Sequence, residues 1–304
     1  MQLSRRDFIK TSSAGAAVLA AGGLRPLRAE AAGKKSEVFT GKGKASEIIP
    51  KIMKKMGGMG RFVQKGARVV IKPNISFANP PDWATTTSPE AIHTVAQLCL
   101  DAGARKVIVC DNTLRDPEIC KEKTGAAKAV KGLKGVVIFT PKRDNMYVEK
   151  TSDKAKELMR TDIVKELERA DALISLPITK SHSAGGVSLG IKGLMGLVKD
   201  RDIFHREMDL HMAIAEQLYY ITPHLTIIDG SRALLDNGPS GPGQVVQLDK
   251  FAAGTDPVAT DSFGVTLASW YGRQMEGKNV KHLRNAAELG FGNVESSLIS
   301  EIAV

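Results

Sequence analysis

Five short runs of β-branched, apolar residues recur along this chain, each followed by a stretch with helix-like spacing. No other feature restricts the fold as much. The runs are Arg68–Lys72 (R-V-V-I-K), Lys106–Cys110 (K-V-I-V-C), Gly135–Phe139 (G-V-V-I-F), Ala172–Leu176 and Leu225–Asp229 (L-T-I-I-D). Runs that are apolar throughout suit strands covered on both faces. Helices are expected over Ala45–Met56, Pro89–Ala102, Glu118–Lys131, Asp162–Ala170, Ile191–Lys199, Leu210–Tyr220, Pro257–Trp270 and Val280–Leu289. A further strand, over Gln244–Phe251, would pack against a sheet edge, and the last residues read as a polar tail. The alternation predicts an α/β fold, a mainly parallel sheet with helices on both faces, with a ligand cleft at the strand carboxyl ends.

The amino terminus carries a different message. Ser4-Arg5-Arg6-Asp7-Phe8-Ile9-Lys10 resembles the twin-arginine export motif, with Ile where Leu is more usual. The Ala/Gly-rich stretch Thr11–Gly23 is too short and too mildly apolar for an ordinary membrane span. Ala29-Glu30-Ala31 offers the small residues needed for cleavage after Ala31. Residues 1–31 are therefore expected to be a cleaved signal, 32–66 a polar lead-in (Lys34–Lys44) with the first helix, and 67–304 a single α/β domain. The resemblance implies handling by the twin-arginine translocase, export in the folded state and a periplasmic location. Folded export favours a prebuilt cofactor or complex.

Charge and cysteine usage exclude several classes. Residues 1–32 contribute +3 of the net +10, so the exported part carries +7. Its basic residues are interspersed with acidic ones and aromatics make up 5%, so nucleic-acid binding is not expected. Cys99, Cys110 and Cys120 are widely spaced, without C-x-x-C or C-x-x-C-H. The chain alone is thus expected to hold no iron–sulfur cluster, and c-type haem attachment is excluded. Cys99 reads as a buried small hydrophobe, and Cys110 with Cys120 is a candidate disulfide in an oxidising compartment.

Polar residues with chemical potential stand directly after the apolar runs. Lys72-Pro73-Asn74, Asp111-Asn112-Thr113, Lys180-Ser181-His182 and Asp229-Gly230 all occupy such positions. A Gly/Ser loop from Ser183 to Ser188 feeds a helix that begins near Gly190 and carries Lys192. Free N–H groups at such a junction, with Lys72, Asn74, Lys180 and Lys192 nearby, make a candidate anion site. Neither a Walker loop nor a G-x-G-x-x-G turn is present, so ATP and NAD are poorly supported.

His182, His205 and His211 fall within thirty residues. They are candidate ligands for a transition metal, or ordinary surface and capping residues. His93, His224 and His282 read as structural. Asp256 precedes Pro257 as an N-cap, whereas Asp261 lies inside the expected helix, either facing a cleft as a base or ligand or facing solvent. Asp229 and Asp256 are further candidate ligands. Asp236–Gly243 (D-N-G-P-S-G-P-G) is a loop, either a surface turn or a lid.

I-K-P-N at Ile71–Asn74, P-I-T-K-S-H at Pro177–His182, G-I-K-G-L-M-G at Gly190–Gly196, His205, D-G at Asp229–Gly230 and G-T-D-P-V-A-T-D at Gly254–Asp261 occur in this order. Together they resemble the family catalogued as domain of unknown function 362, over about Val69 to Tyr271. Gly193 stands where that family often has Asn. Many members carry a ferredoxin-like cluster module whose cysteines this chain lacks. The resemblance implies a domain boundary and site residues but no reaction. The leading expectation is a cleft binding an anionic small molecule and, as an alternative or in addition, a metal. Lys72, Asn74, Lys180 and Lys192 would hold the anion, and His182 or Asp261 would move protons. The alternative class is a non-catalytic accessory, assembly or electron-transfer partner of a periplasmic redox complex.

Overall fold

In the computed structural model, which describes residues 35–304, strand order in the parallel part of the main sheet reverses at one place, and that place locates the cleft. The strands are β1 (Ser36–Lys42), β2 (Arg68–Pro73), β3 (Lys106–Cys110), β4 (Val136–Phe139), β5 (Tyr147–Thr151), β6 (Arg160–Val164), β7 (Ala172–Leu176), β8 (Ile178–His182), β9 (Gly186–Ser188), β10 (Leu225–Leu234), β11 (Val245–Gln247), β12 (Lys250–Gly254) and β13 (Ile299–Ala303). The α-helices are α1 (Ala45–Lys55), α2 (Pro89–Asp101), α3 (Pro117–Lys123), α4 (Ala126–Val130), α5 (Gly190–Gly193), α6 (Ile203–Arg206), α7 (Leu210–Glu216), α8 (Pro257–Val265) and α9 (Lys281–Glu288).

The main sheet runs β13-β1-β12-β10-β7-β2-β3-β4. From β10 to β4 every pairing is parallel, while β12 is antiparallel to both β10 and β1. The chain proceeds from β2 outward through β3 to β4, then returns to place β7 on the other side of β2. Strand order therefore reverses between β2 and β7. A crevice opens at the carboxyl ends of strands where order reverses, because the connections leave in opposite directions.

Alternation along the strands divides the core. Val69 and Ile71 of β2 pack with Val107, Ile174, Ile227 and residues of α1 and α2 such as Ile52 and Ile92. Val70, between them, packs on the opposite face with Ile108, Leu173, Ile228, Ile214, Phe204 and Val258. The expected α/β architecture with helices on both faces is therefore present.

Several local expectations are corrected. The lead-in is not loose: β1 pairs with β12 and β13, so it belongs to the domain that was expected to begin at residue 67. The polar tail supplies β13. Asp162–Ala170 is not a helix. Thr161-Asp162-Ile163-Val164 pairs with β5, and only a 3-10 turn follows over Lys165–Arg169. The helix expected over Glu118–Lys131 breaks at Gly125, whose φ of 74° ends α3 and starts α4. The Ile191–Lys199 helix shrinks to α5 and a 3-10 turn at Leu194–Leu197, as three glycines in seven residues disfavour a longer one. Gln244–Phe251 divides into β11 and β12 around Asp249, which has a φ of 50°. Cys110 and Cys120 form no disulfide: all three thiols are free and buried, and burial pushes the Cys110 and Cys120 thiols up.

Candidate functional site

Pro177 separates β7 from β8, since a residue without an N–H cannot extend the ladder. Asn74, just past the end of β2, fixes the bend: its Oδ1 accepts the Ile178 N–H at 2.9 Å. β8 then leaves the main sheet and pairs with the far half of β10. Lys180, Ser181 and His182 consequently sit on a buried strand and not in a loop. The Gly/Ser segment after them is a hairpin turn between β8 and β9.

These displacements enclose a cavity of about 440 Å³ at the carboxyl ends of β2 and β3. Lys72, Asn74, Lys180, Lys192, His182 and His205, named from the sequence, all line it. So do Ser76, Phe77, Asp111, Arg201 and Arg206, which received no site role. Asp111 was visible as the residue following a buried strand, whereas nothing in the sequence around Arg201 distinguishes it from a surface arginine.

Lys72 and Asp111 form a buried ion pair at 3.1 Å. Asp111 Oδ2 also accepts the Ile75 N–H at 2.8 Å and the Ser76 hydroxyl at 3.0 Å. Gly196 covers the pair, and a Cβ there would fall 2.0 Å from Asp111 Oδ1. Lys180 donates to the Thr85 carbonyl at 2.7 Å and lies 5.3 Å from the Phe77 ring centre. Arg201 donates to the Asn112 carbonyl and to Ser76 Oγ.

Lys192 differs from the other three. It is 8% exposed, lines the cavity, and has no hydrogen-bond or ion-pair partner among the described residues. Burial, with Arg201 and Lys72 adding repulsion, lowers its pKa to about 7. Burial also lowers Lys180 to about 7. An unpaired ammonium in such a place is unfavourable, so the site favours either a neutral amine or a compensating anion.

His182 Nδ1 accepts the N–H groups of Ala184 and Gly185 at 3.2 and 3.0 Å. The ring proton therefore belongs on Nε2. Burial, reinforced by Lys192 and Lys180, lowers the His182 pKa to about 2. With Nδ1 accepting two N–H groups, the ring stays neutral near pH 7 and turns its Nε2–H outward as a donor.

The sequence-derived metal trio does not assemble. His182 stacks on His205 with ring centres 6.2 Å apart, whereas His211 stacks on His282, outside the cavity lining. Among the described residues no three histidine, cysteine or acidic side chains gather as a metal-binding group. For His182 Nε2 to ligate a metal, the proton would have to move to Nδ1, against two N–H donors.

Asp261 is not in the cavity lining either. Its carboxylate accepts Gly190 N–H at 2.9 Å and Ile191 N–H at 2.8 Å. The helix entry proposed from sequence as an anion site is thus filled by the chain's own anion. Burial raises Asp261 to about 7, opposed by these two N–H groups. Asp256 caps α8 through Ala259 N–H at 2.9 Å, and Asp229 accepts Ser88 N–H. The Asp236–Gly243 loop is pinned to β8, with Gly238 N–H donating to Ser181 Oγ and Ser183 N–H to the Gly238 carbonyl; its Pro239 lines the cavity.

Fold and site define an α/β protein with a cationic cleft at a strand-order reversal. The chain belongs to the family described as domain of unknown function (DUF362), which matches residues 69–266. A twin-arginine translocation pathway signal sequence matches residues 2–22, outside the described residues, so the chain is exported folded by that translocase. Among the described residues no helix is long and apolar enough to cross a membrane. The thylakoid-associated protein sll1697 of Synechocystis sp. (strain ATCC 27184 / PCC 6803 / Kazusa) is 30% identical over 217 residues, or 69% of this chain. The chain spans 65% of the length of that relative. The lactate racemase apoprotein from Thermoanaerobacterium thermosaccharolyticum superposes with a TM-score of 0.48 and 14% identity, over 76% of this chain and 56% of that one.

Proposed function

We propose that this exported protein binds a small anionic molecule, a carboxylate or phosphate, in the cavity between β2, β8 and α5. The observation that carries the reading is Lys192, buried, unpartnered and lining a space that Lys72, Lys180 and Arg201 also line. The Asp111 charge is engaged by Lys72, so it does not neutralise the rest. An anion would relieve the repulsion among these cations, and charge-assisted hydrogen bonds from lysine and arginine would hold it. The His182 Nε2–H adds a neutral donor.

The test is thermal denaturation of the mature chain with phosphate, sulfate or a dicarboxylate. A ligand that binds only the folded state raises the melting temperature by mass action. The rise should exceed that in chloride of equal ionic strength, and Lys180→Met with Lys192→Met should remove it. A rise that survives both substitutions, or none in any anion, overturns the reading.

A further inference from the structure

Anion binding explains why cations line the cavity, but not why one of them has no partner. Lys72 has Asp111, Lys180 has the Thr85 carbonyl, and Arg201 has Ser76 and the Asn112 carbonyl. Each is thereby committed to a fixed direction. Lys192 alone among these four has an uncommitted terminal nitrogen, and it lines a cavity large enough for a molecule of several heavy atoms.

We propose that Lys192 is a nucleophilic amine that forms an imine with the carbonyl carbon of a small 2-oxo acid. The proposal rests on the anion-binding reading and adds the chemical class of the ligand. The carboxylate would be held by further donors of Lys180 and Arg201, leaving the adjacent carbonyl directed at Lys192. Lysines become nucleophilic when desolvated or placed beside other cations, because both conditions favour the free amine. Lys192 has both: burial, and repulsion from Arg201 and Lys72. The other titratable groups facing it electrostatically are Lys180, His182, His205, His211 and His282.

The step balances without an oxidant or reductant. The Nζ lone pair adds to the carbonyl carbon, and the carbonyl π pair moves to oxygen. That oxygen takes one proton from the attacking nitrogen, giving a carbinolamine. Loss of hydroxyl with the second nitrogen-borne proton, as water, forms the C=N bond. The net change is amine plus carbonyl to imine plus one water.

The experiment uses the mature chain incubated at pH 7 with pyruvate or glyoxylate, then reduced with cyanoborohydride and mapped by peptide mass spectrometry. The reduced adduct should sit on Lys192 and accumulate at least about tenfold faster there than on exposed lysines, which stay protonated at this pH. Mapping the unaltered chain avoids dependence on whether a variant folds. Lys192→Arg, which cannot form the imine, should lose the adduct. An adduct on Lys180 instead, or none on Lys192, overturns the proposal. If phosphate still raises the melting temperature in that case, anion binding stands and only the imine falls. If phosphate has no effect either, both fall.

Discussion

The Lys72 ammonium lies 3.1 Å from the Asp111 carboxylate, with both side chains almost wholly removed from solvent. The contact is an ion pair more than an aligned hydrogen bond, since Asp111 Oδ1 has no well-directed donor. Burial lowers the Lys72 pKa while Asp111 opposes the change. Removing one partner strands the other charge, and such losses cost roughly 3–5 kcal/mol. Asp111→Ala should therefore destabilise the mature chain by about that amount, measured by urea denaturation. The double variant Lys72→Met, Asp111→Asn, which removes both charges but keeps a carbonyl oxygen for the Ile75 N–H, should recover part of the loss. A single variant as stable as the parent would mean that the pair is not formed.

Gly196 makes that pair possible by leaving room over it. Gly196→Ala puts a Cβ 2.0 Å from Asp111 Oδ1 and 2.5 Å from Lys72 Cε. Something must shift, and overpacking of this kind costs roughly 1–3 kcal/mol. The same substitution at Gly60, where a Cβ would meet nothing within 4 Å, should change stability far less. Paired urea melts distinguish the two sites, and equal effects would count against the close approach at Gly196.

The parallel strands were legible because burial on both faces leaves an uninterrupted apolar run, as in Val69-Val70-Ile71. Sequence also singled out Lys72, Asn74, Lys180 and His182 after strands, Lys192 at a helix entry and His205 in a histidine cluster, and all six line one cavity. It misread what each side chain is bonded to. Asp261 was read as a candidate base because Asp is unusual inside a helix, yet its partner is an N–H seventy-one residues away. His211 is near His205 in sequence but stacks on His282 from α9. Neither pairing has a local signal. The hairpin of β5 and β6 was missed for a related reason: its burial alternates, and it forms a two-stranded sheet apart from the main one.

Lys180 and Lys192 contribute to the pH dependence of stability above neutrality. Both have a folded value of about 7 against an ordinary value of 10.5. Between those limits the unfolded chain binds more protons than the folded one, so stability should rise as pH increases from about 7 toward about 10. Below pH 7 both states are protonated and the cost is fully present. Bound phosphate favours the ammonium forms, so its stabilising effect should shrink over the same rise. Lys180→Met with Lys192→Met should flatten the curve. Urea titrations at successive pH values check the slope, and a fall in stability from pH 7 to 9 would contradict it.

His182 should not titrate in the ordinary histidine range. Its Nδ1 accepts two backbone N–H groups, and its pKa is lowered to about 2. Protonating Nδ1 would set its new N–H against those two donors. The His182 ring resonances in a histidine NMR titration should therefore stay flat from pH 8 to pH 5, where a free imidazole changes state near 6.5. His182→Ala identifies the signal. A midpoint near 6.5 for that signal would show that the hairpin turn does not hold the ring as described.

Export depends on a different pair of residues, Arg5 and Arg6, within the signal sequence at residues 2–22. Lysine keeps the positive charge but presents a rotating ammonium, whereas arginine presents a planar fork of donors in fixed directions. If the translocase reads that geometry and not charge alone, Arg5→Lys with Arg6→Lys should stop export while leaving the net charge at +10. The expected result is full-length precursor accumulating in the cytoplasmic fraction, while the parent appears outside it at the shorter length left by cleavage after Ala31. The retained precursor should still fold, because the described sheet and helices are built from residues 36–303. Protease resistance of the retained chain checks this point. It separates a failure of recognition from a failure of folding, which would also block a route that carries folded proteins. Export of the double variant at the parental level would show that this pair is not what the translocase reads.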